Sequence, residues 1–208
     1  MVTVFAYLKK AAALTNKELG VVDADKADAI AAACDDILAG KLDGNFPLAV
    51  WMTGSGTQFN MNVNEVVAHR AAAILKEKGK EQRIHPNDDV NHSQSSNDTF
   101  PTGLHMAGVL LIEQQLFPAM DAIYKALHDK QEAFKDIVKI GRTHLQDATP
   151  LTLGQEFSGW ARMIERNKEM LRCGVDFLRD LAMGGTPSVR VSTVRKAMTA
   201  ALPKSSAT

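Results

Sequence analysis

The sequence is poor in several things at once, and each shortage narrows what the chain can be. Cysteine occurs only at Cys34 and Cys173, each alone in an apolar helical pattern. That points away from a disulfide scaffold and toward two small buried hydrophobes in a reducing compartment. An excess of either charge is missing too: 24 Lys and Arg face 24 Asp and Glu. Without a basic excess no nucleic-acid partner is expected, although small anions remain open because they need only a local site. No apolar run approaches the roughly 20 residues of a membrane span. The N-terminus has no signal-peptide pattern, since Lys9 and Lys10 follow its apolar residues instead of preceding them. A cytoplasmic protein with no membrane partner is the expectation. Internal repeats and β-rich blocks are absent as well. What is present is a chain of 208 residues, 45% hydrophobic, enough for one large domain or one and a half small ones.

Most of it reads at helical period. Val4, Leu8, Ala11 and Ala12 open a helix that runs to Leu19-Gly20. Asp23 or Asp25 can cap a second helix through Ile30, Cys34 and Leu38, ended by Gly40. Asn45-Phe46-Pro47 reads as a turn, and Gly54 and Gly56 mark a loop before a helix from about Asn64 to Lys78. A long apolar stripe begins after Thr99, through Leu104, Val109, Leu111, Ile112, Leu116, Met120, Ile123 and Leu127, with Pro118 expected to kink or break it. Another helix is expected from about Leu153 to Leu181, ended by Gly184-Gly185. The class is all-α, with long helices that bundle.

Three polar islands interrupt this frame. "TGSGTQFNMN", Thr53 to Asn62, sets a glycine turn with hydroxyls ahead of a helix, which suits a carboxylate or phosphate but equally an ordinary capped loop. No Gly-Lys-Ser/Thr follows, so it is not a Walker loop. "HPNDDVNHSQSSNDTFP", His85 to Pro101, is dense in His, Asp and Asn. His85, Asp88 and Asp89 lack the spacing of a closed zinc site, and no metal is expected. Ser95, Ser96 and Asn97 immediately precede the long helix, where both capping and anion recognition fit. "GRTHLQDATPLTLGQ", Gly141 to Gln155, gathers Arg142, Thr143, His144 and Gln146 just before a fresh helix, again a donor-rich setting for anions. Three such islands on separate elements could converge on one small polyanion.

Together the islands resemble the class II fumarases of the fumarase/aspartase superfamily. "GSGTQFNMNVNEV", "HPNDDVNHSQSSNDTFPT" and "GRTHLQDATPLTLGQEFSGW" follow that family's pattern in the correct order, and the resemblance runs from Val4 to Thr186. It implies an N-terminal helical domain over residues 1–98, expected to lack the family's first segment, and the first long helices of a central helical bundle over 99–186. It also implies a homotetramer with active sites shared between subunits, no metal or organic cofactor, and reversible hydration of fumarate to (S)-malate in the tricarboxylic acid cycle. By the same resemblance Ser55, Gly56, Thr57, Ser95, Ser96 and Asn97 hold the substrate carboxylates, with Thr143 reaching in from a neighbouring subunit. His144 handles the water, a role that suits an imidazole because it titrates near neutrality. His85, Asn87 and Asp88, with Arg83 as a partner, match the family's second dicarboxylate site. The aspartases have glutamine where this chain has His144, which favours hydration over ammonia addition.

The chain departs from the family after Thr186. A downstream serine loop implicated as the carbon base does not occur before Thr208, and residues 187–208 follow no family pattern. Restoring one G ahead of the Pro187 codon lets the following triplets read Ala-Val-Gly-Thr-Gly-Leu-Asn, the usual family continuation. Residues 187–208 are therefore expected to be out-of-frame translation. The chain by itself is expected to show little or no activity, and apolar faces on the helices from Thr99 and Leu153 are expected to lack partners. An aspartase-like lyase and a non-catalytic helical fragment are the competing readings.

Overall fold

The computed structural model describes residues 1–184. The expected out-of-frame tail at 187–208 lies outside the described residues, as do Gly185 and Thr186. The described chain divides into two compact units, Met1–Ala107 with the residues from Leu181 on, and Gly108–Asp180.

The first unit is built on helices α1 (Val2–Glu18), α2 (Ala24–Leu38), α3 (Thr57–Glu77) and the N-terminal part of α4 (Ser96–Leu111). Of the two candidate caps, Asp23 takes the role, accepting from the N–H groups of Asp25 and Lys26, while Asp25 lies in the first turn of α2. Phe5, Leu8, Ile30, Cys34, Val63, Val67 and Leu75 are buried on the facing sides of α1, α2 and α3. Phe5 meets Phe59 edge-on at 4.9 Å between ring centroids, and Phe100 joins them at 6.3 Å from Phe5. Gly103 gives Phe5 its room: a Cβ there would fall 2.4 Å from Phe5 Cε2.

The second unit is an antiparallel pair of helices, α5 (Phe117–Ala133) and α6 (Leu153–Leu178), joined by a two-stranded hairpin, β1 (Val138–Thr143) with β2 (Gln146–Thr152). Ion pairs of Lys168 with Asp121 and of Arg179 with Glu113 bridge the two arms of the unit. Lys168 and Arg172 both lie over the Phe117 ring, each 5.6 Å from its centroid. The class is all-α as expected, with this one small sheet added.

Several expectations are corrected in detail. Helix α3 begins at Thr57, not near Asn64. Gly56 at φ 71° turns the chain straight into the helix, and the polar Gln58, Asn60 and Asn62 belong to its first turns. Pro118 leaves a wide turn over Ile112–Leu116 between α4 and α5. It has no N–H to give to the preceding turn and its ring crowds the carbonyl four residues back, so the helix widens there. Helix α6 stops at Leu178, ahead of the glycine at 184. Cys34 is buried but Cys173 is exposed, on a helix whose sides are largely open. The apolar faces on the long helices are uncovered as expected: Leu111, Leu116 and Ile123 are exposed, as are Trp160, Met163, Met170 and Phe177 on α6.

Candidate active site

The first and second islands meet in the first unit. Thr53 Oγ1, Ser55 Oγ, Thr57 Oγ1 and Ser96 Oγ form a chain of hydroxyl contacts at 3.2, 3.3 and 3.1 Å. The last contact joins the first residue of α3 to the first residue of α4, so two helix N-termini converge at one exposed spot. Their free N–H groups and positive dipole ends favour an anion there. No side chain caps α3, whose preceding residue is Gly56. At α4 the Ser95 hydroxyl accepts from Asn97 N–H at 3.2 Å, and Ser95 N–H donates to Asp98 Oδ1 at 3.1 Å. That reciprocal cap holds the Ser95–Asn97 turn in shape while the Asn97 side chain stays exposed.

Behind this turn lies a buried polar network that the sequence reading missed. Lys9 Nζ donates to Asn91 Oδ1 at 2.8 Å and to Gln94 Oε1 at 2.9 Å. Asn60 Nδ2 and Asn64 Nδ2 each donate to the same Asn91 oxygen at 3.2 Å. Thr99 Oγ1 donates to Ser95 O at 2.9 Å and contacts Asn60 Oδ1 at 3.4 Å. Burial pulls the Lys9 ammonium down to about 7, against the opposing pull of Cys34 and Asp98, and pushes the Cys34 thiol up to about 12. A signal was available: Lys9 sits on the same helical face as Phe5 and Ala13, where an apolar residue would be ordinary.

The residues matched to a second dicarboxylate site surround a wide turn over Pro86–Val90. His85 Nδ1 accepts from the N–H groups of Asn87 and Asp88 at 3.3 and 3.2 Å, so its ring caps the turn through Nδ1. Asp89 anchors the turn, accepting His85 N–H at 2.7 Å and pairing with Lys26 at 2.9 Å. Arg83, Asn87 and Asp88 are exposed. Among the described residues no group of three or more His, Cys, Asp or Glu is arranged to hold a metal ion.

Thr143 and His144 belong to the second unit, and the polar run that holds them is a hairpin instead of an open loop. Thr143 pairs with Gln146, leaving His144 and Leu145 as a two-residue turn with φ 51° and 62°. Positive φ at both central positions is what the twist of a tight hairpin requires, and Asn-Gly usually supplies it. His-Leu in its place is a strained choice that projects an exposed imidazole from the hairpin tip. The pairing register shifts between Ile140 and Arg142, and a Cβ on the intervening Gly141 would come 2.6 Å from Thr149 O. Arg142 pairs with Asp147 across the hairpin at 3.1 Å. Below it, Thr152 and Gln155 form a complete capping box that starts α6.

The sequence model of the lyase family matches residues 1–202. Over 186 residues the chain is 64% identical to the class II fumarate hydratase of Bacillus subtilis, covering 89% of this chain and 40% of that protein. It is 55% identical over 187 residues to the class II fumarate hydratase of Helicobacter pylori, with the same coverage. The crystal structure of a class II fumarase from Schistosoma mansoni superposes with a TM-score of 0.88 at 35% identity, over 95% of this chain and 43% of that one. A fumarate lyase:delta crystallin structure from Brucella melitensis does so with a TM-score of 0.85 at 39% identity, over 96% and 46%. The chain thus spans about 40% of the length of the curated relatives it matches.

Proposed function

The chain belongs to the lyase family, and from that premise we propose that it is part of a class II fumarate hydratase, which interconverts fumarate and (S)-malate. Dehydration of malate removes a weakly acidic proton from the carbon beside a carboxylate. The charge left behind spreads into that carboxylate as a doubly charged aci-form, so donors aimed at its oxygens lower the barrier. Ser55, Thr57, Ser95, Ser96 and Asn97, with the open N-terminus of α3, hold a substrate carboxylate. Thr143 adds a donor from a neighbouring subunit, and His144 positions the water or exchanges its proton. Arg83, His85, Asn87 and Asp88 form a second dicarboxylate site. The reading includes a homotetramer, the cytoplasm, the tricarboxylic acid cycle and no cofactor. It also includes a lyase domain over residues 1–98 and the start of a central bundle over 99–186.

The observation that supports this reading most is the 3.1 Å contact of Thr57 with Ser96, because it brings the hydroxyls of two islands to one pair of helix N-termini. The test is to follow fumarate by its ultraviolet absorbance with the whole protein, with water alone and with added ammonium. Hydration that needs no ammonium is expected, and Ser96→Ala should lower turnover by roughly 10²–10³-fold, as loss of one oxyanion donor does. Aspartate formation only with ammonium, or no turnover of fumarate, would overturn the reading.

A further inference from the structure

Lys9 has no solvent exposure, and the proposed chemistry does not use it. Its neighbours on the buried face of α1 include Phe5, Leu8, Ala12 and Ala13. An apolar side chain would fill the same place without the cost of taking a charge out of water. Both acceptors of the Lys9 ammonium lie in the segment that leads into the substrate turn. Asn91 also donates to Gln94 O at 3.1 Å, and Gln94 Nε2 donates to Val90 O and His92 O at 3.0 and 3.2 Å. The segment from Val90 to Gln94 is thereby closed upon itself around the ammonium. The donors from Asn60 and Asn64 lock the same assembly to α3, whose N-terminus forms the other side of the site. Gln94 is bonded to the next residue, Ser95, through the chain itself.

We infer that Lys9 is a positioning residue: bonded to Asn91 and Gln94 from inside the protein, it fixes the Ser95–Asn97 turn, where Ser96 meets Thr57, without touching the substrate. This rests on the proposed substrate site. Lys9→Met removes the charge and leaves Gln94 Oε1 without its donor. Gln94→Met cuts the link from the other side, at a half-buried position. Each is expected to raise KM for fumarate about tenfold, and the double variant to be no worse than the worse single, because both break one coupled unit. Amide hydrogen exchange across residues 91–97 should quicken in both variants while α6 exchanges as before. The exchange readout does not depend on catalysis, so the two ideas fail separately. A full-length protein containing this chain that does not turn over fumarate overturns the proposed function, and exchange then decides the role of Lys9. Should Lys9→Met fail to fold, Gln94→Met carries the test. A folded variant with wild-type exchange over 91–97 and unchanged KM would overturn the inference.

Discussion

Gly56 lies against the face of Phe100, so close that a Cβ on it would fall 2.0 Å from the ring's Cγ and 2.3 Å from Cδ2. The same glycine holds φ 71°, a conformation that side chains disfavour. Both constraints act between Ser55 and Thr57. Gly56→Ala is therefore expected to lose about 2–5 kcal/mol, the sum of left-handed strain and overpacking. Urea unfolding of the two proteins measures it. A variant as stable as the parent would show that the turn and the ring can separate freely.

What was legible in the sequence was what local chemistry decides. Asp23 before an apolar period, and Thr152 followed by Gln155, announce helix starts that the structure keeps. The start of α3 was hidden because Gln58, Asn60 and Asn62 look like loop residues. Asn60 is polar yet buried, bonded to Asn91 across a distance in sequence that no local pattern encodes. The hairpin was hidden for a related reason. His144-Leu145 carries none of the usual turn signals, and Pro150 within β2 argues against a strand. The chemistry of the three islands suggests one shared anion, but the contact of Thr57 with Ser96, which joins the first two, belongs to tertiary packing. The burial of Lys9 against Asn91 and Gln94 is likewise set by contacts more than 80 residues apart in sequence, which no local pattern encodes.

The strain at the hairpin tip predicts its own relief. Leu145 is 86% exposed, so its side chain contributes little burial, while φ 62° costs a branched residue on the order of 1–2 kcal/mol. Leu145→Gly removes that cost and adds back part of it in backbone entropy. A net gain of about 0.5–1 kcal/mol is expected in chemical unfolding. A loss would mean that Leu145 makes contacts in the assembled protein that outweigh the strain.

Under the proposed function, His144 is the residue that favours hydration over ammonia addition. His144→Gln should lower kcat/KM for fumarate hydration by roughly 10²–10⁴-fold, the range of one proton-transfer group. His144→Asn provides the control, since asparagine tolerates the left-handed turn and keeps the hairpin intact. Both variants should lose activity together. Near-wild-type hydration in either one would remove His144 from the chemistry.

The stability of the protein should carry the mark of Lys9 in a defined pH window. Burial lowers its ammonium from 10.5 to about 7 in the folded state. Below about 7 both states hold the proton, and the full penalty of burying the charge applies. Above that, the folded state releases the proton while the unfolded state keeps it to about 10.5. The unfolded chain then binds more protons, so stability rises with pH. Cys34, raised from 9.0 to about 12, acts in the opposite sense above pH 9, because the folded state then holds the extra proton. The clean interval is therefore pH 7 to 9. Comparing wild type with Lys9→Met cancels every other group. Across that interval wild type should gain roughly 2–3 kcal/mol relative to the variant, as one pKa-shifted group allows over two pH units. Urea midpoints at the two pH values measure it. Parallel curves would mean that the Lys9 charge state does not change there, and that its amide partners hold it protonated throughout.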